Sequence, residues 1–318
     1  MRRGKVSGGA RHARVRALAK LNLDLRVVGR REDGYHELRT VFQTISLADT
    51  IDLAFTPGRG TAIELEDALG IPDNLVARAA RAVMEETGAR GRLEIRLTKR
   101  IPMGGGLGGG SSDAAAMLLA LPVLAGATIP LERLVELGQQ IGSDVPFFLH
   151  GGRAVGIGRG TELFPLPDVE RRPGLLVTPG VHVSTAEAYR LLDSRLTSES
   201  QQNKIFSFQS RVWDPSCLSP SVNDFETVVY RKHRRLGTIR ARLERAGAQP
   251  AMMTGSGSAL FGLFRDAGQV ASAVRLLGDE KTIRFVPVSR PAYRSLWWRA
   301  LAPHINAKTW PPQSRYAR

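Results

Sequence analysis

One stretch constrains this chain more than any other: Ile101-Pro-Met-Gly-Gly-Gly-Leu-Gly-Gly-Gly-Ser-Ser-Asp113. Six of the seven residues from 104 to 110 are glycine. Residues 92–98 alternate apolar and polar and predict a strand running into this loop. Residues 112–121 are small and apolar and predict a helix leaving it, bent or ended at Pro122. Glycine accepts left-handed torsions and lets a ligand approach the backbone closely. Successive N–H groups can then turn inward as an anion nest, and the following helix adds unpaired donors and a favourable dipole. So many glycines are entropically costly to order, which disfavours a passive linker. The loop is not a P-loop, because no lysine follows it. A Gly-x-Gly-x-x-Gly match inside it carries little weight, since no acid stands about twenty residues later at the end of a second strand.

An anion cradle suits the charge balance. Forty-five Lys and Arg against 30 Asp and Glu leave +15 over 318 residues. Such a field favours anionic partners without choosing among phosphates, nucleic acid and anionic surfaces. Cys217 is the single cysteine, which excludes an intrachain disulfide or a thiolate metal cluster. No apolar run is long enough to span a membrane.

The organisation reads as α+β in two domains, with a basic extension over 1–14, a first domain over 15–168, a second over 169–300 and a tail over 301–318. Strands are expected from 15, over 41–47, 50–55, 92–98, 154–157, 175–178, 251–254, 258–264 and 282–288. Helices are expected over 74–87, capped by Asp73 or Asn74, and over 131–140, 185–192 and 267–277. Residues 225–245 read as mostly helical, interrupted at Gly237. The Ser- and Gln-rich residues 197–221 read as an irregular excursion or mobile loop, and Leu21 to Val27 alternates apolar and polar residues with Asp24 at one of the polar positions.

Three further places carry chemistry. Asp144, in Ile141-Gly-Ser-Asp-Val-Pro-Phe-Phe148, stands beside a glycine turn and a rigid proline. It reads either as a turn cap or as a carboxylate able to accept a hydroxyl proton. Thr254-Gly-Ser-Gly-Ser258 is a second glycine-hydroxyl loop, or simply a β-turn. Lys20 sits between two alternating stretches and taken alone would pass for a surface lysine.

Together these features resemble the GHMP small-molecule kinases. Ala19-Lys-Leu-Asn-Leu23, the loop from Pro102 onward and Thr254-Gly-Ser-Gly-Ser258 match three family motifs in order. Gly34-Tyr-His-Glu-Leu38, Asp73-Asn-Leu75 and the triple-glycine loop are similar to one branch of that family. That branch phosphorylates the 2-hydroxyl of a diphosphocytidyl-linked methylerythritol on the methylerythritol phosphate route to isoprenoids. The resemblance implies a two-domain fold with ATP, Mg²⁺ and the small-molecule acceptor in the cleft between the domains.

Carried over residue by residue, the resemblance implies Lys20 and Asp144 as the catalytic pair. Pro102, Gly104, Gly105, Gly106, Leu107, Gly108, Gly109, Gly110, Ser111 and Ser112 would cradle the ATP phosphates. Asn74 and Lys99 would belong to the adenosine pocket. Asn22, Tyr35, His36, Gly255, Ser256 and Gly257 would meet the acceptor, with Tyr35 and His36 at its cytosine. No metal ligand set is assigned, and His36 lacks the neighbouring His, Cys or Asp residues a metal would need. The expected protein is cytoplasmic, monomeric or homodimeric, with no specific nucleic-acid or membrane partner. Rival readings are another GHMP kinase acting on a different alcohol or phosphorylated acceptor, a nucleotide sensor, and a basic RNA-binding protein.

Overall fold

The structure is a computed structural model and describes residues 9–193, 198–213 and 221–317. Two long strands organise the first half. Strand β1 (Arg11–Arg30) pairs antiparallel with β2 (His36–Pro57) over nearly its whole length. The other edge of β2 is shared by two strands end to end: β4 (Gly91–Thr98) along 50–57 and β5 (Arg153–Gly158) along 38–43. Strand β3 (Thr61–Asp67) runs parallel to β4, and β6 (Glu162–Pro165) closes the far edge beyond β5. A second sheet, all antiparallel, has the order β10 (Thr282–Phe285), β7 (Gly174–Val177), β9 (Leu260–Leu263), β8 (Ala251–Met253).

Helices α1 (Leu75–Thr87), α2 (Gly109–Ala125), α3 (Leu131–Ile141) and α4 (Val145–His150) cover the first sheet. Helix α2 is apolar all round, and every residue from Ser112 to Leu124 is buried, as expected of a helix enclosed by its neighbours. Pro122 does not end it. The hydrogen bond lost there is outweighed by burial on all sides, at roughly 1.5–3 kcal/mol per large apolar side chain. The helix stops at Gly126, whose φ of 84° forms a left-handed cap. Helices α5 (Thr185–Asp193), α7 (Glu226–Lys232), α8 (Arg234–Arg245) and α9 (Ala267–Leu277) enclose the core of the second sheet. A third apolar cluster, including Leu21, Leu107, Leu176, Met252 and Phe261, joins the two halves.

Several expectations change. The strands over 41–47 and 50–55 are one continuous strand, because the residues between them stay in the ladder: Ala48 pairs with Leu18 and Asp49 with Ala17 on β1. The break in 225–245 falls at His233, leaving Gly237 inside α8. Within 197–221 the structure has a helix, α6 (Ser198–Trp213), in place of an irregular excursion. It is held by charge. Buried Asp24 receives Arg26 at 3.0 Å and Arg211 at 3.3 Å, and Lys204 reaches Asp224 at 2.7 Å. Asp24, on the polar side of the alternation, thus anchors α6. Burial pushes its pKa up while the two arginines pull it down. Residues 214–220, with Cys217, and residues 1–8 of the basic extension lie outside the described residues.

The chain then returns to the first core. Tyr293 and Trp297 of α10 (Arg290–Ala300) are buried there, with the Tyr293 hydroxyl donating to the Phe148 carbonyl at 2.5 Å. The final residues are tied down too: Trp310 Nε1 donates to the Leu149 carbonyl and Ser314 Oγ to that of Val123. Among the described residues no helix is long and apolar enough to cross a membrane.

Candidate active site

The glycine loop lies where β4 hands over to α2. Gly104, Gly106 and Gly108 have φ near 70°, a region that disfavours side chains. Gly108 precedes the first turn of α2 without a side-chain cap, so the first backbone donors of a 17-residue helix remain for a ligand. The glycines also serve packing. A Cβ on Gly106 would stand 2.2 Å from the Thr254 carbonyl oxygen. One on Gly108 would meet Phe148 at 2.9 Å and the Lys20 stem at 3.1 Å. Gly255 packs backbone to backbone on Gly106, so the two glycine-hydroxyl loops, about 150 residues apart in the chain, form one wall.

A cleft of about 840 Å³ opens on the other side of that wall. At one end, Lys20 Nζ lies 3.4 Å from Asp144 Oδ2 and donates to Asn22 Oδ1 at 2.7 Å. The Lys20 side chain is 5% exposed and that of Asp144 32%, so the carboxylate faces the open cleft and the ammonium supports it from within. The backbone N–H of Lys20 donates to the Leu107 carbonyl, tying β1 to the glycine loop. Register shifts in the β1–β2 ladder flank Lys20 and follow Asn22. Such bulges re-aim side chains beside functional sites.

At the other end, the His36 ring stacks on Tyr189 at 4.3 Å, and its Nε2 lies 2.6 Å from Asp193 Oδ1. Tyr189 meets Phe225 edge-on. Burial, and to a smaller degree the Asp144 charge, push the Tyr189 hydroxyl well above the usual tyrosine range. Tyr35 is half exposed beneath the Arg159 guanidinium, 3.5 Å from its ring centre. Ser256 Oγ bonds Thr185 Oγ1 at 2.8 Å, which joins the second glycine loop to α5.

The anticipated residues therefore fall into separate groups. Lys20, Asn22, Tyr35, His36, Gly106, Gly108, Asp144, Gly255 and Ser256 line one cleft. Residues 102–110 line a smaller pocket of about 160 Å³ with Lys99. Asn74 caps α1 by accepting from Val76 N–H, and its amide donates to Asp67. Lys99 is buried between Asp49 at 2.5 Å and Asp113 at 2.6 Å, behind Gly109. Burial pushes Asp113 up to about 8, against the opposing pull of Lys99. Ser112 Oγ donates to the Leu18 carbonyl, pinning α2 to β1, whereas Ser111 Oγ lies toward the turn at Gly142, next to Ser143 and Asp144. Gly257 packs on Met253.

Sequence reasoning missed Thr40, Arg159, Thr185, Tyr189, Arg190 and Asp193, all of which line the cleft. The only local signal was the helix over 185–192. That α5 turns its Tyr189–Asp193 face toward His36 is decided by packing between the halves.

Comparison with known proteins agrees with this geometry. The family model for the GHMP kinase N-terminal domain matches residues 74–152, and that for the GHMP kinase C-terminal domain matches 215–280. The chain is 63% identical over 310 residues to a 4-diphosphocytidyl-2-C-methyl-D-erythritol kinase of Solibacter usitatus (strain Ellin6076), covering 96% of this chain and 98% of that protein. A kinase of the same name from Syntrophotalea carbinolica is 40% identical over 83% of this chain and 93% of its own. A crystal structure of 4-(cytidine 5'-diphospho)-2C-methyl-D-erythritol kinase superposes with a TM-score of 0.72 at 35% identity, over 86% of this chain and 98% of the other. Homoserine kinase from Cytophaga hutchinsonii, at 17% identity and a TM-score of 0.67 over 91% of this chain and 97% of the other, shares the fold. With its glycine wall, its cleft and these relatives, the chain belongs to the GHMP kinases, in the branch of the 4-diphosphocytidyl-2-C-methyl-D-erythritol kinases.

Proposed function

We propose that this protein transfers the γ-phosphoryl group of ATP to the 2-hydroxyl of 4-diphosphocytidyl-2-C-methyl-D-erythritol, on the methylerythritol phosphate route to isoprenoids. The observation that carries the reading is one cleft with the Lys20–Asp144 pair beside the glycine wall at one end and the His36–Tyr189 stack at the other. A phosphorylatable alcohol joined through a diphosphate to a flat pyrimidine has those same two ends. The named relatives carry the same acceptor in their names.

In this reading Asp144 orients the acceptor hydroxyl and takes its proton, and Lys20 places positive charge beside the transferring group. The left-handed glycines and the open first turn of α2 hold the phosphates in line, which lowers the orientation cost of an otherwise poor nucleophile. Among the described residues no three His, Cys, Asp or Glu side chains converge as a cation site. The Ser111 hydroxyl, which lies toward the Gly142 turn beside Asp144, would help orient a Mg²⁺-bound phosphate. When bound, Mg²⁺ would neutralise phosphate charge. His36, oriented by Asp193, and Tyr189 hold the cytosine, and Tyr35 with Arg159 forms the outer rim. The expected second domain over 169–300 is cut back at its end, because α10 and the tail pack into the first core; residues 15–168 with 290–317, and residues 169–289, are proposed as the two domains facing this cleft, in a cytoplasmic enzyme acting on a small molecule.

A panel of acceptors tests the proposal. ATP-dependent phosphate transfer is expected to 4-diphosphocytidyl-2-C-methyl-D-erythritol, with little to mevalonate or homoserine. Comparable turnover of either rival would overturn the acceptor assignment. His36→Ala is expected to raise the KM for the acceptor by about tenfold, the order of one lost polar contact with its stack, while the KM for ATP stays within about twofold. An unchanged acceptor KM would remove His36 from cytosine recognition.

A further inference from the structure

We infer that Thr40, on β2, is a positioning residue for phosphoryl transfer: its hydroxyl sets the direction of the Asn22 amide, and the amide in turn sets the Lys20 ammonium. Resting on the kinase reading above, the inference adds a residue that the motif carrying Lys20 and Asn22 does not contain.

The argument is an accounting of donors. Thr40 is fully buried, and Asn22 and Lys20 are nearly so, at 2% and 4% exposure. A threonine hydroxyl has a single hydrogen to give. In Thr40 it goes to the Asp24 carbonyl oxygen, 2.7 Å away, which can only accept. Toward Asn22, 2.8 Å away, the Thr40 oxygen can therefore only accept. The Asn22 group facing it must be the NH₂, and the amide oxygen must point the other way. There it meets Lys20 Nζ at 2.7 Å. The Asn22 backbone is pinned as well, its N–H donating to Thr254 Oγ1 at 3.0 Å.

An asparagine can otherwise turn its amide over at little steric cost, because oxygen and NH₂ are close in size. A flipped amide would present donors to an ammonium that also has only donors. The ammonium would lose its buried acceptor, and its contact with Asp144 would change. The register shift between Asn22 and Asp24 is what makes the accounting possible, since it brings the Asp24 carbonyl and the Asn22 side chain to the same hydroxyl.

Thr40 also lines the cleft, so direct contact with the acceptor is the competing role. Thr40→Val keeps the branched shape and removes the hydroxyl, and Thr40→Ser keeps the hydroxyl. All variants are measured against the native enzyme with the acceptor that the panel identifies, so a wrong acceptor appears in the wild-type control and a wrong inference only in the variants. Thr40→Val is expected to lower kcat by about 10- to 100-fold, the scale of a hydrogen bond to a charged group, with the KM for ATP and acceptor within about twofold. Thr40→Ser is expected to keep kcat within about threefold, within the scale of a retained hydrogen bond. In an Asn22→Ala background, Thr40→Val should cost almost nothing further, because its effect passes through Asn22. Wild-type kcat in Thr40→Val, loss in Thr40→Ser equal to that in Thr40→Val, or an undiminished effect in the Asn22→Ala background would each overturn the inference.

Discussion

Asp144→Asn is expected to reduce kcat by about 10²–10⁴-fold, the range of a lost general base. The substitution nearly preserves volume and removes the charge and basicity facing the cleft. Asp144 makes its ion pair with Lys20 at 3.4 Å and is partly open to solvent, so the fold should tolerate the change. Nucleotide affinity, measured separately with a non-hydrolysable ATP analogue, should move by no more than about threefold, because the phosphate nest is backbone of the glycine loop. Lys20→Ala is expected to lower kcat as well. The double variant should cost less than the sum of the two, as residues acting as one unit do. A folded Asp144→Asn enzyme with near-native turnover would take Asp144 out of the chemistry and leave the phosphate loop standing.

Gly106→Ala should be nearly as damaging by another route. Its φ of 74° already disfavours a side chain, and the new methyl would lie 2.2 Å from the Thr254 carbonyl oxygen, which is backbone and cannot swing aside. The two glycine loops must then separate, and with them the β1 segment that hydrogen-bonds to Leu107 and Thr254. A displacement on the order of 1 Å between phosphates and acceptor can cost about 10²-fold, so kcat/KM is expected to fall by at least that much. Gly104→Ala provides the contrast. Its φ of 68° imposes a similar torsional strain, but a Cβ there meets nothing within 4 Å. Its loss should stay near the ~1–2 kcal/mol of the left-handed conformation alone. Equal losses in the two variants would show that strain, and not the loop-to-loop contact, makes Gly106 necessary.

The local chemistry was legible before any coordinates. The alternation over 92–98, the glycines and the small-residue run predicted strand, loop and helix, and the structure has them as β4, the cradle and α2. A period of two, a cluster of left-handed torsions and an all-apolar helix are properties of neighbouring residues. Lys20 and Asp144 could be paired only through resemblance, since 124 positions separate them and nothing local tells a surface lysine from one 5% exposed.

Where local signals were weak, tertiary contacts decided. Serine favours a helix only weakly, although Gln202 and Gln209 suit one, and the helix over 198–213 is fixed in place by Asp24, Arg26 and Asp224, which offer buried partners to Lys204 and Arg211. Ala48 and Asp49 fall between two expected strands, yet the strand runs through them because β1 supplies their partners at Leu18 and Ala17. The tail has no periodicity and is fastened by packing of Leu301, Ile305 and Trp310 on the first core and by hydrogen bonds to its carbonyls. By itself, then, the sequence determined the strand, glycine loop and helix of residues 92–121, most of the other strands and, through its motifs, the family. Only the tertiary structure decided that Tyr189 and Asp193 frame His36, that Ser112 serves packing while Ser111 lies toward the Asp144 turn, and that Thr40 stands behind Asn22. The reason is physical: periodicity and turn chemistry act over a few residues, whereas the direction of a buried amide or ring depends on donors and surfaces supplied from elsewhere in the chain.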